Sequence, residues 1–353
     1  MLGQARLNPI AFLFPVALLA ALCVAPPQAC AGKPEPQQRQ ALLAGYAVEL
    51  RASLARGEVP IIDVEHHWGG KFPLAELIGK MDAAGVALTW LGQNEKHGSA
   101  YGLAATAEHP TRLVPTTIHG DGPRWHGRDP SLLDELAADV HTGRYFALGE
   151  FEARHYVSST NSRDVHLPAD SESFEAVFRL AEESGLPLLL HHEAEDGLLP
   201  ELERMLVRHP KAIVIWCHVG RNRDRSTWTA FPTPTGVRAF LDKYPNLYFD
   251  LNQASPGSRH SGTRQVDSVL YDIDPSRGGN QPGARLNDEW RLLLEERSDR
   301  FLFGSDVNTG RWDKYARVLE NFRELVLRRL SPQAGARIAY GNAWRLMGGQ
   351  PLP

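Results

Sequence analysis

Ile61-Ile62-Asp63-Val64-Glu65-His66-His67-Trp68 is the stretch on which the reading of this chain turns. It opens on β-branched residues and closes on groups that bind metals, as a buried strand with a chemical tip would. Side chains alternate along a strand, so Asp63, Glu65 and His67 are expected on one face and Val64 and His66 on the other. Glu65 and His67 can then converge on one ion. From this stretch alone, a polar loop with a His pair beside an acid reads equally well.

Downstream, short aliphatic runs alternate with helical segments. Beside Ile61–Glu65 the predicted strands are Val86–Leu91, Leu113–Ile118, Phe146–Gly149, Leu186–His191, Ala212–Cys217, Leu247–Leu251 and Phe301–Ser305. Helices are expected over Pro73–Ala84, Ser131–His141, Ser171–Ser184, Leu199–Arg208, Thr235–Tyr244, Asn287–Arg297 and Trp312–Leu330, with the gap after the second strand the least clear. Phe174, Val177, Phe178 and Ala181 recur at i, i+3, i+4 and i+7, one apolar face for a sheet. Helix exits are short, whereas strand exits are long, notably Ala153–Asp170, Gly220–Pro234 and Asn252–Arg285. That asymmetry, with a strand count that closes a parallel barrel, predicts an α/β fold: a single (β/α)8 TIM barrel over residues 59–348 with its site at the C-terminal strand ends. An open doubly wound sheet is the alternative, but no Gly-x-Gly-x-x-Gly or Walker sequence follows any predicted strand.

The chain has 353 residues, 42% hydrophobic, with 38 Lys+Arg against 42 Asp+Glu. That balance excludes a polybasic nucleic-acid arm, so no nucleic-acid partner is expected. Residues 1–31 read as a secretory signal peptide: Arg6, an apolar run from Ile10 to Val24, and Ala29-Cys30-Ala31 at the cleavage site. The apolar run is shorter than the ~20 residues of a membrane span and contains Pro15, so no membrane association is expected after its removal. A periplasmic or secreted location follows, with Cys217 the only cysteine left and no internal disulfide. Residues 32–58 read as a lead-in whose Lys33–Arg39 portion is a polar tether. A homo-oligomer is left open.

Other strands also close on metal-binding types. Leu188-Leu189-Leu190 runs into His191, Ile213-Val214-Ile215-Trp216-Cys217 into His218, and Phe301-Leu302-Phe303-Gly304-Ser305 into Asp306. A single buried His is usually satisfied by the backbone, but polar closure of four strands points to one centre. Imidazoles and carboxylates suit Zn²⁺ or Mn²⁺, and the carboxylate at Glu65 shifts the preference toward Mn²⁺. His192-Glu193 lacks the second His of a zincin helix, and Ser305 lacks a nucleophile elbow.

With these pieces in view, the sequence resembles the amidohydrolase superfamily, and within it the amidohydrolase-2 family, whose relatives include TatD-like hydrolases and metal-dependent aminocarboxymuconate-semialdehyde and resorcylate decarboxylases. The resemblance is carried by Ile62-Asp63-Val64-Glu65-His66-His67, Met81-Asp82-Ala83-Ala84-Gly85-Val86, Ala147-Leu148-Gly149-Glu150, Leu186-Pro187-Leu188-Leu189-Leu190-His191, His218-Val219-Gly220, Phe303-Gly304-Ser305-Asp306 and Tyr340-Gly341-Asn342-Ala343-Trp344-Arg345-Leu346. It implies a metal barrel in which Glu65, His67, His191 and Asp306 are the ligands and His218 steers water or substrate. Glu65 stands where the common pattern has the first His of His-x-His, a variant of some decarboxylase and demethylase relatives. No Lys lies near the end of the fourth strand to bridge two metals, so Glu150 is either a bridging ligand or an interior hydrogen-bonding group.

Such a site hydrolyses an amide, ester or lactone: the metal lowers the pKa of water toward ~7, Asp306 relays its proton, and His218 polarises the scissile carbonyl. Two alternatives are decarboxylation of a carboxylated substrate and metal binding without turnover. Arg221-Asn222-Arg223-Asp224-Arg225 after the sixth strand either favours a small anionic substrate or is a solvated loop. Trp68, Trp228 and Tyr271 either line the pocket or pack beneath loops.

Overall fold

The computed structural model describes residues 36–352 apart from Lys71, residues 158–162, 252–254, Pro275, 278–280 and Pro282. The predicted signal peptide lies outside the described residues. Eight parallel strands organise the rest: β1 (Ile61–His67), β2 (Val86–Gln93), β3 (Leu113–Ile118), β4 (Leu148–His155), β5 (Leu188–His192), β6 (Val214–Trp216), β7 (Leu247–Asp250) and β8 (Phe301–Leu302). β1–β2–β3 form one sheet; β4 to β8 form a second in chain order, with the short antiparallel strand Val165–His166 on its β4 edge. Isolated parallel bridges cross both seams, Asp63 with Phe303 and His66 with Val307 on one side, Gly120 with Phe151 on the other. Backbone hydrogen bonds follow the same lines, from Val64 N–H to the Phe303 carbonyl at 2.9 Å and from Thr117 N–H to the Ala147 carbonyl at 3.1 Å.

The helices form where apolar periodicity and end signals agree. In Glu172–Ser184 the predicted stripe Phe174, Val177, Phe178 and Ala181 is buried, and Gly185 ends the helix at φ 68°, a left-handed conformation that costs glycine nothing. Burial of each large side chain contributes roughly 1.5–3 kcal/mol. Leu199–Arg208 has the predicted bounds and buries Leu199, Leu202, Met205 and Leu206.

Between the strands lies an apolar layer containing Ile62, Val64, Leu88, Trp90, Val114, Phe146, Leu189, Ile215 and Leu302. Its lower side is covered by two helices. One is α1 (Pro36–Ala55), which brings Leu43, Tyr46 and Leu50; the other, Asn342–Leu346, brings Ala343, Trp344 and the following Met347. Polar tips fasten this floor: the Tyr46 hydroxyl donates to the Leu113 carbonyl at 2.9 Å, and Arg39 lies over the Phe146 ring at 4.8 Å.

Three expectations change. The lead-in carries α1, and the tether reading of Lys33–Arg39 overlaps its first turn: prolines at the start of a helix are tolerated because the first N–H groups have no intrahelical partner. The gap after β2 holds Gly98–Glu108, whose many small residues give almost no apolar stripe to read. The helix expected over Trp312–Leu330 is broken into a 3₁₀ turn Thr309–Lys314, an α-helical segment Tyr315–Asn321, a widened π turn Phe322–Val326 and a 3₁₀ turn Leu327–Arg329. Within the π turn, Phe322 stacks on Phe303 at 4.3 Å, and Arg323 donates to the carbonyls of Ala84 and Gly85.

Candidate metal centre

The register of β1 slips between Asp63 and His66, so strict alternation fails where the sequence reading needed it. Asp63, expected beside Glu65 and His67, instead accepts the N–H groups of Glu65 (3.3 Å) and Ser305 (2.8 Å) and ties β1 to the exit of β8. His66 packs edge-on against Trp312 and Tyr315, away from the centre as expected. Glu65 and His67 do converge, with His67 Nε2 3.9 Å from Glu65 Oε1 and 3.6 Å from Asp306 Oδ1.

The predicted ligands fall into two adjoining groups. Glu65, His67 and Asp306 bring their ligand atoms within 4.8 Å of one another, and so do Glu150, His191 and His218. Glu150 connects them. One of its oxygens lies 3.2 Å from His67 Nε2; the other is 2.8 Å from His191 Nδ1 and 3.0 Å from His218 Nε2. His218, expected to act apart from the ligands, has its Nε2 2.9 Å from His191 Nδ1. His119 joins His67 and Glu150 in a third overlapping group that the sequence reading missed. Its signal was present, since it closes the β3 run as the other histidines close theirs. Gly92 is its complement: a Cβ there would fall 1.6 Å from His119 Nε2.

Two of these residues sit on unusual backbone. Among the described non-glycine residues only Arg128, His218, Arg264 and Asp306 have positive φ, 69° at His218 and 48° at Asp306. Such conformations cost about 1–3 kcal/mol each and persist where neighbours enforce them. Here the His218 N–H donates to Asp250 Oδ1 at 3.0 Å, and the Asp306 N–H donates to the Glu65 carbonyl at 2.9 Å.

Burial and crowding of like charges set the electrostatics. Burial pushes the Glu65 carboxyl well above its ordinary range, and the charges of Asp250, Glu150 and Asp306 push the same way. Burial also opposes ionisation of Glu150, but hydrogen bonds from His191, His218 and His67 outweigh it and hold Glu150 well below that range. At Asp306 burial is likewise overcome, here by Arg311, His218 and His67. His191 is raised to about 10 because Glu150 and Glu193 outweigh its burial.

The donor set fits a divalent ion. Both carboxylate oxygens of Glu65 are buried without a hydrogen-bond partner, an arrangement costly unless a cation completes it. Nitrogen and oxygen donors of this kind suit zinc or manganese. Cys217 lies beneath, buried, its thiol pushed far up by that burial and thus a poor nucleophile.

A cavity of about 990 Å³ opens over the centre and is lined in part by His67, Glu150, His191, His218, Asp306 and Trp68. Of the Arg221–Arg225 run, Arg221 and Arg223 line it but Arg225 does not: its guanidinium turns to the Val266 carbonyl. Arg223 pairs with Glu193, which meets His191 Nε2 at 3.2 Å. Arg311, not anticipated, grips the Asp306 carboxylate. Trp228 and Tyr271 are buried packing residues: the Trp228 ring donates to the Tyr156 hydroxyl, and Tyr271 pairs Leu286 in a short hairpin.

Comparison with known proteins agrees with this architecture. A putative 2-pyrone-4,6-dicarboxylic acid hydrolase from Pseudomonas putida superposes with a TM-score of 0.50 at 15% identity, over 83% of this chain and 98% of that one. An amidohydrolase from Burkholderia multivorans gives 0.51 at 14% identity, over 82% and 99%. At such identities the likeness speaks for the fold alone. None of the curated proteins matches the chain. A sequence model of the amidohydrolase family matches residues 122–349. That span includes Glu150, His191, His218 and Asp306, while Glu65 and His67 lie upstream of it. With a match of that extent, and with strand-end His and carboxylate groups that could hold a metal, the chain belongs to the amidohydrolase family.

Proposed function

We propose that this protein is a metal-dependent hydrolase that directs activated water onto an amide, ester or lactone of a small anionic substrate. The observation that carries this reading is the pair of ligand groups joined through Glu150 beneath an open cavity. In it the eight strands close as a single (β/α)8 barrel, a reading supported by the bridges across both seams. Glu65, His67 and Asp306 would hold one zinc or manganese ion and His191 and His218 a second, with the Glu150 carboxylate between the two groups. The 3.0 Å and 2.9 Å approaches of His218 Nε2 to Glu150 and His191 support a ligand role for His218 over one confined to steering water or substrate.

Bound divalent ions there supply Lewis acidity and an activated water at neutral pH. The chain's own groups do the rest. Asp306, at the rim of the cavity, receives the proton of the attacking water and passes it to the leaving group. Arg311 keeps that carboxylate ionised and ready to accept. Glu193 accepts from His191 Nε2, which fixes the tautomer that turns Nδ1 toward Glu150.

Turnover of a lactone and ester panel by metal-loaded protein tests this directly. Glu65 in place of a histidine favours a second reading, decarboxylation, and turnover of hydroxybenzoates without that of any lactone or ester would select it. Metal content after His218→Asn separates the two roles of His218: a fall to about half supports the ligand, whereas full content with lost turnover supports steering. For the compartment, we propose export and cleavage after Ala31; mature protein from an envelope fraction should begin at Gly32, and soluble cytoplasmic protein beginning at Met1 would refute it.

A further inference from the structure

The long excursion between β7 and β8 supplies part of the cavity wall and none of the ligand groups. His260 lines the cavity from it, between Ser258 and Ser261 and beside Arg223 of the loop after β6. A tight turn holds it there. The His260 N–H donates to the Gln265 carbonyl at 2.9 Å, and the His260 carbonyl accepts the Arg264 N–H at 2.8 Å. The residue is 6% exposed and packs on Gly262, where a Cβ would fall 2.9 Å from Cε1 of the ring.

The same turn decides which ring nitrogen carries the proton. The backbone N–H of Thr263 donates to Nδ1 at 3.2 Å, and an amide nitrogen can only donate, so Nδ1 is the unprotonated nitrogen. The Thr263 hydroxyl, 3.3 Å from Nδ1, gives its own proton to the Arg223 carbonyl and ties the turn to the loop after β6. Burial, and after it the charge of Arg223, lowers the pKa of His260, so the ring is neutral and its one proton sits on Nε2. Nε2 is buried without a hydrogen-bond partner among the described residues. Such a donor is costly in the free protein, and the cost is recovered when a ligand brings the acceptor.

The acids whose charges reach the ring are already engaged. Glu193 is held by Arg223 and His191, and Asp267 accepts from the Ser258 hydroxyl. An acceptor from outside the chain therefore fits this position, and an anionic oxygen fits it best, since a hydrogen bond to a charged acceptor is roughly twice as strong as a neutral one. Deepening the reading of an anionic substrate above, we propose that His260 is a specificity-determining residue whose Nε2–H donates to a carboxylate oxygen of the substrate. The wall after β7 selects the carboxylate, while the centre acts on the scissile bond.

Benzoate and its neutral isostere benzamide test this on the full chain, with and without zinc, because the proposed contact does not need the metal. By calorimetry, wild type should bind benzoate more tightly than benzamide in both states. His260→Phe, which keeps a ring and loses the donor, should weaken benzoate by about 10–100-fold and benzamide less. His260→Gln, whose side-chain amide can bring an N–H near the place of Nε2, should recover most of that loss, and zinc content should match wild type in both variants. NMR of isotope-labelled wild type serves where the variants do not fold: the His260 ring should carry its proton on Nε2, and that proton should move downfield when benzoate is added. A proton on Nδ1, or an Nε2 proton unmoved by saturating benzoate, would overturn the proposal. So would benzamide bound by wild type as tightly as benzoate, or equal benzoate affinity in wild type and folded His260→Phe. A fall in zinc content accompanying the loss would make His260 a prop for the centre and overturn it too. The hydrolase reading fails on a different result, absence of turnover across the lactone and ester panel, which leaves the carboxylate contact standing.

Discussion

The two ends of the same strands obey different physics. At the lower end Ile62, Leu88, Val114 and Leu302 meet α1 and the C-terminal Trp344 and Met347 in an apolar layer whose polar atoms are paired. At the upper end, within a few residues along each strand, stand the buried ionisable groups of Glu65, His119, Glu150, His191, His218 and Asp306, with both Glu65 oxygens and His119 Nδ1 left without a hydrogen-bond partner. The lower end releases free energy on folding; the upper end consumes it through desolvation and through left-handed backbone at His218 and Asp306. The contrast teaches that the floor supports a site that could not form by itself, so the two ends should be separable by substitution.

The largest effect should come from the upper end. Glu65→Ala, His67→Ala, His191→Ala and Asp306→Ala should each lower metal content and reduce turnover on the order of 10²-fold or more, while thermal unfolding of the metal-free protein changes little. His66→Ala should leave metal content unchanged, since its ring faces Trp312 and Tyr315. Equal metal content in His67→Ala and wild type would break the assignment. The floor should respond in the opposite way: Trp344→Ala should cost about 3–5 kcal/mol of stability and leave the number of metal ions bound by the folded protein intact. Metal loss at a temperature where the variant is still folded would show that the two ends are not separable.

A smaller effect is expected from pH. Burial lowers His66 from 6.5 to about 3 and His192 from 6.5 to about 4, so both are neutral in the folded chain. The unfolded chain binds protons at these positions near 6.5, so their contribution to stability is complete above that pH. It declines as pH falls toward the folded-state values. Between pH 6.5 and 5.5 each such group should cost the metal-free protein roughly 1 kcal/mol, while His191, raised to about 10, acts with the opposite sign, so denaturant unfolding of wild type is compared with that of His66→Gln and His192→Gln. A pH dependence left unchanged by both substitutions would mean that these rings are not held neutral by burial.

Much of this was legible in the sequence because strand interiors and strand tips differ in composition. Runs such as Leu188-Leu189-Leu190 ending in His191 disclose both the strand and its site. What stayed hidden depends on geometry that composition does not encode. The slip in β1 removes Asp63 from the centre, and no residue type announces a slip of register. His119 closes its strand run as the other site histidines do and was overlooked, whereas Arg311 becomes visible only when separate loops and strands meet, and the identical basic residues Arg221, Arg223 and Arg225 part ways through their individual partners. Glu150 could be read as ligand or hydrogen-bonding group, and only the shared approach of His67, His191 and His218 shows how central it is.

Anomalous diffraction from crystals of the metal-loaded protein, recorded at the zinc and manganese edges, tests the central claim most directly. The account predicts two peaks at the upper strand ends, one within ligand distance of Glu65, His67 and Asp306 and the other of His191 and His218, with Glu150 between them. A single peak, or none among these six side chains, would contradict it.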